Sequence, residues 1–171
     1  MKWFVAVLLF SLVIGGLHAQ QSPSSLARKN FVDEAGQRIS FSLPAGWRFN
    51  EGTITNLKGA KLAEFSPGTM PDCSYKNGTA YIQELKAGYP DDVGSPRFVG
   101  SRTWALQQTT WTEGIRNVPA WDGKANKGRW YTHDFFAIID QKCFLMTFFS
   151  TQQQLPEEEK VKRFLASLTL K

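Results

Sequence analysis

Groups that do chemistry are scarce in this chain. Among 171 residues there are two histidines, His18 and His133, and two cysteines, Cys73 and Cys143. His18 lies in what reads as a leader, so His133 is left alone beside Asp134. Neighbours on a strand face opposite sides, so Asp134 is badly placed to orient His133. No Gly-x-Ser-x-Gly elbow supplies a nucleophile, and a single His with no acidic cluster in register makes a poor zinc or copper site. The phosphate-cradling patterns Gly-x-x-x-x-Gly-Lys-Ser/Thr and Gly-x-Gly-x-x-Gly are missing. Asp91-Asp92 is one acidic doublet, far short of the oxygen cage that calcium needs, and reads as a turn. Long apolar runs are missing after Leu17, so no later segment is expected to span a membrane. A concentrated charge of one sign is missing too. Lys and Arg number 20 against 15 Asp and Glu, a formal net charge of +5. The cations are scattered, which argues against a nucleic-acid footprint.

What is present begins with an address. Residues 1–19 carry Lys2, an apolar run from Trp3 to Leu17, and Ala19 before Gln20. This is the layout of a secretory signal peptide, and the run is shorter than the ~20 residues of a spanning helix. No Cys near the cut offers a lipid attachment point. The expectation is an exported protein, periplasmic or secreted. In an oxidising compartment Cys73 and Cys143 are candidates for a disulfide.

Residues 20–30 (QQSPSSLARKN) are polar and read as a tether, and residues 31–171 as a single domain. Phe31-Val32, a Gly36 turn and Gln37–Leu43 predict two strands. In the second, Ile39, Phe41 and Leu43 alternate with Ser40 and Ser42. Pro44 cannot continue a ladder, and Trp47 is expected to pack back over the sheet end. Lys61–Phe65 reads as a strand followed by loop in SPGTMPDC. Thr79–Lys86 alternates and reads as a strand, AGYPDDVGSP as loop, and Thr103–Ile115 as strand. Arg129–Ile139 and Lys142–Ser150 predict a hairpin turning at Asp140-Gln141. Its second strand is apolar on nearly every residue, which calls for cover on both faces. A final helix supplies one cover. Pro156 and the run Glu157-Glu158-Glu159 suit its first turn, and Val161, Phe164, Leu165 and Leu168 form one stripe. Gln152–Gln154 links strand to helix.

Tryptophan is the unusual component. Trp104, Trp111, Trp121 and Trp130 crowd one third of the chain. Trp121 sits in a polar, glycine-bearing stretch with Lys124, Lys127 and Arg129 around it. Such a Trp is either an anchor onto the core or an exposed platform, and if exposed this patch suits an anionic or carbohydrate partner. Asn77-Gly78-Thr79 matches an N-glycosylation acceptor.

Three pieces in order, Ile39–Trp47 (ISFSLPAGW), the Trp130–Phe149 hairpin and Phe164–Leu170 (FLASLTL), resemble the PsbP-like family. Its relatives include Ran-binding Mog-type proteins and exported bacterial proteins. The resemblance implies an α+β fold: a central antiparallel β-sheet flanked by helices, with the C-terminal helix packed on the sheet in an α/β/α sandwich. It also implies a helix near Leu85–Trp104, where this chain has Gly, Pro and Asp. The family consists mostly of binding and accessory proteins. No photosynthetic motif carries over.

The expected function is therefore a non-catalytic exported accessory protein that binds another protein of the cell envelope, without a cofactor. An immunity-type inhibitor of a secreted toxin is a special case. The alternative is a glycan or small-ligand module built on the Trp121 loop, and a hydrolase around His133 stands behind both.

Overall fold

Why does the alternating run after Gly36 hold its register so firmly? It is paired on both edges. A computed structural model describes residues 27–70, 73–88, 96–119 and 129–171. In it β1 (Arg28–Val32) and β10 (Thr169–Leu170) pair antiparallel with β2 (Arg38–Ser42), one on each side. The β1–β2 turn closes through Asp33, whose carboxylate accepts the Gln37 amide at 2.8 Å. Strand β1 starts inside the stretch expected to be a tether, because Asn30 lies opposite Ser40 and accepts its hydroxyl hydrogen at 2.6 Å.

The second sheet has seven antiparallel strands: β3 (Trp47–Asn50), β4 (Thr53–Asn56), β5 (Lys61–Met70), β6 (Arg97–Leu106), β7 (Thr109–Pro119), β8 (Arg129–Ile139) and β9 (Lys142–Ser150). Their order across the sheet is β3-β4-β5-β9-β8-β7-β6. The β8–β9 hairpin matches the expected bounds and turns through Asp140 and Gln141, both at positive φ. With two helices among the described residues, the fold is mostly antiparallel β-sheet, broadly α+β.

Four local expectations are corrected. The stretch read as a strand at Thr79–Lys86 is helix α1 (Gly78–Ala87). Asn77 caps it, its side chain accepting the Ala80 amide at 2.9 Å. Helical spacing puts Gly78, Tyr81, Ile82 and Leu85 on one side, and a Cβ at Gly78 would run into Thr112 of β7. The run Thr103–Ile115 is not one strand. It bends at Gln107-Gln108 into the β6–β7 hairpin, with Gln107 at φ 49°. The first five residues of SPGTMPDC are strand, because β5 continues to Met70 with a register shift between Glu64 and Gly68. A Pro is admitted at such an irregularity. Finally, α2 (Glu158–Ala166) stops short of the C-terminal residues. Ser167 donates its hydroxyl to the Phe164 carbonyl at 2.7 Å and accepts the Ser42 amide at 2.8 Å, which turns the chain onto β2.

Two apolar clusters lie on the large sheet. Phe41, Trp47, Phe65 and Phe148 surround Phe164 of α2, with ring centroids 5.3 to 6.2 Å away. Phe135 and Trp111 belong to this cluster, as does Trp104. Tyr81 and Ile82 of α1 join Phe136 and Cys143 in the other, where Tyr81 stacks on Phe136 at 4.8 Å. Consecutive residues Phe135 and Phe136 thus serve different clusters, as strand alternation requires. Cys73 is bonded to Cys143, with Cα atoms 5.4 Å apart, and ties the approach to α1 onto β9.

Candidate functional site

Trp121, Lys124 and Lys127 lie outside the described residues. Arg129 opens β8, with its side chain also outside the description. The next residue, Trp130, is described. It is 43% exposed, whereas Trp104 and Trp111 are buried. Trp130 therefore presents an aromatic surface at the point where the predicted patch rejoins the sheet.

That surface is one wall of a cavity of about 580 Å³. Phe149 of β9, Pro156 and Lys61 of β5 complete its apolar part, and Ser150 and Gln152 add polar groups. The Lys61 ammonium stands 4.8 Å above the Phe149 ring and is also paired with Glu64. The lining thus combines two aromatic rings, Pro156 and a few hydrogen-bonding groups. That is the composition of binding clefts.

A second set of polar groups is buried in the large sheet. Glu113 of β7 is fully buried. Its carboxylate accepts hydrogen bonds from the Trp104 indole at 2.8 Å and from the Arg102 guanidinium, and meets His133 Nδ1 at 2.6 Å. Burial pushes the Glu113 carboxyl up. The bonds to His133 and Arg102 outweigh that, and the group lies below the usual carboxylate range. Arg102 reaches on to Glu158 of α2 at 2.9 Å, and Glu158 also meets Lys162 at 3.1 Å. The acidic run at the start of α2 is thus partly a structural clamp. Glu157 joins it by accepting the Trp47 indole hydrogen at 3.0 Å.

His133 is the only histidine of the described chain, and its partner is Glu113. It sits opposite Ile115, so Glu113 is its diagonal neighbour across the strand pair. The sequence signal for this pair is Glu113 itself, a charge in phase with the apolar positions Trp111 and Ile115. His133 has no exposed surface, and its Nε2 has no hydrogen-bond partner. A His–carboxylate pair can orient a general base, but a substrate needs reach to Nε2. Here the sheet core closes over that atom.

Asp134 points the other way, as alternation predicts. It accepts a two-pronged pair from Arg116 at 2.6 and 2.9 Å, and the hydroxyls of Thr147 at 2.8 Å and Thr132 at 3.2 Å. The carboxylate is saturated by positioned donors and holds β7, β8 and β9 together.

No protein-family model matches this chain, and no curated protein matches it.

Proposed function

We propose that this chain is a non-catalytic exported binding protein that acts through contacts with another protein of the cell envelope. The observation that carries the reading is the cleft of Trp130, Phe149 and Pro156 beside Lys61. A half-exposed Trp at the rim of an apolar concavity has the make-up of an interaction hot spot. The ionisable cluster around Glu113, in contrast, is committed inward. The Cys73–Cys143 bridge suits an oxidising compartment. Among the described residues no helix is long and apolar enough to cross a membrane. The finer fold reading is a PsbP-like α/β/α sandwich, supported by α1 and α2 serving different clusters of one sheet. The immunity-type inhibitor remains a special case of this function.

The test is capture from the envelope fraction with the wild-type protein and with Trp130→Ala, side by side. One dominant protein held by the wild type and released by the variant supports the reading. Identical captures from both would sink it.

A second reading is favoured by the same aromatic wall. Trp130 with Ser150 and Gln152 could stack and hydrogen-bond a sugar ring. Titration of the intrinsic fluorescence with cell-wall oligosaccharides decides this. A saturable change lost in Trp130→Ala supports it, and a flat response removes it.

A further inference from the structure

The large sheet ends at β6, and β6 is ten residues long. Among the described residues it pairs only with β7. Counting back from the two-residue turn at Gln107-Gln108, the backbone groups of Ser101, Thr103 and Ala105 face away from β7. All three residues are exposed. An edge of this kind is a template for another extended chain unless it is blocked.

Beside that edge runs a groove of about 300 Å³. One wall is α1, through Thr79, Gln83 and Lys86. The other is β6, through Ser101 and Thr103, with Thr112 of β7 at the base. The helix comes close to the sheet because Gly78 meets Thr112, and Gly114 meets Ile82 and Leu85, with no Cβ in between. A Cβ at Gly114 would strike Leu85 and Ile82. α1 rests mainly on β7 and meets both of its neighbours, β6 and β8, so the groove runs between the helix and the last strand of the sheet.

We infer that this groove binds an extended, acidic segment of a partner protein as an added strand on β6. An incoming strand would complete the ladder at Ser101, Thr103 and Ala105. Alternate side chains would enter the groove beside α1, the strand-addition mode of peptide recognition. Charge selects the occupant. Among the described residues the charged lining is Lys86 and Arg102, without a carboxylate. Arg102 is already matched by Glu113 and Glu158. Lys86 rests over the Phe98 ring, 4.9 Å from its centroid, and Arg97 is exposed at the start of the strand. This surface is distinct from the Trp130 cleft and does not depend on the function assigned there.

The test uses the purified protein and a displayed library of random ten-residue peptides. Enriched peptides should carry Asp or Glu. In amide exchange by NMR they should slow exchange at Ser101, Thr103 and Ala105. Lys86→Glu, on the exposed face of α1, should weaken the acidic binders by about tenfold while keeping the melting temperature. Methylation of alternate backbone nitrogens in the peptide should abolish binding. The proposal is overturned if no peptide is enriched, or if bound peptides leave those amides exchanging at the free rate. It is equally overturned if the same amides become protected at high protein concentration without peptide, which would assign the edge to a second copy of this chain. None of these outcomes bears on capture through Trp130, so the two readings fail separately.

Discussion

His133 Nδ1 lies 2.6 Å from the Glu113 carboxylate, in a place where neither side chain has any exposed surface. The same carboxylate takes the Trp104 indole hydrogen and the Arg102 guanidinium. Four residues on three adjacent strands, β6, β7 and β8, therefore share one buried charge.

Glu113→Gln keeps the shape and removes that charge. Arg102 and His133 then face a neutral amide, and the buried pair is broken from one side. The expected loss is about 3 kcal/mol of unfolding free energy, read from the urea midpoint. A variant as stable as the wild type would show that the cluster contributes nothing net.

The same residue sets an acid limit. Its folded carboxyl titrates below the ordinary value, while in the unfolded chain it titrates at about 4.3. The unfolded state thus takes up the proton first as pH falls. The stability from Glu113 is complete above the unfolded value and drains away as pH drops through the folded one. Between about pH 5 and about pH 3 the wild type should lose more stability than Glu113→Gln. Parallel pH curves for the two proteins would refute this.

The Cys73–Cys143 bridge spans 70 residues. Closing a loop of that size restricts the unfolded chain, so Cys73→Ser with Cys143→Ser should cost about 4 kcal/mol. Thermal melting with and without reductant checks it. The wild type should fall toward the double variant under reductant, and the double variant should not respond.

Phe164 of α2 has no exposed surface and meets four aromatic rings, those of Phe41, Trp47, Phe65 and Phe148. Phe164→Ala should cost about 3 to 5 kcal/mol in chemical denaturation. It should leave the Tyr81–Phe136 cluster on the other face packed, visible as unchanged α1 amide protection at low denaturant.

Gly114→Ala tests the seat of α1. The new methyl has nowhere to go but into Leu85 and Ile82. The expected result is about 1 to 3 kcal/mol of destabilisation, with chemical-shift changes concentrated in α1. Changes confined to β7 would mean that the helix yields without strain.

Strand periods set by neighbouring residues were legible in the sequence. Ile39, Phe41 and Leu43 alternate and are buried. The β8–β9 hairpin announces itself by two apolar runs around Asp140-Gln141, and Val161, Phe164, Leu165 and Leu168 are buried as their spacing predicts. In each case a local pattern and a local turn agree. Thr79–Lys86 reads as a strand because eight residues fit both periods. What decides is the Asn77 cap and the close packing of Gly78 on Thr112 and of Ile82 and Leu85 over Gly114, contacts between segments far apart in the chain. The hairpin at Glu51-Gly52, with both residues at positive φ, is not legible in the sequence, since β3 and β4 are short and mixed in polarity.

Of the site, the sequence determined the residue types: few chemical groups, a Trp-rich third, two cysteines and, after residue 19, one histidine. Tertiary structure alone decided who meets whom. Register across β6, β7 and β8 brings Arg102, Trp104, Glu113 and His133 together, and the β8–β9 pairing brings Trp130 and Phe149 toward one cleft. The physical reason is that strand pairing joins residues by register and not by sequence distance. A one-residue slip would turn Glu113 and His133 to the other face of the sheet.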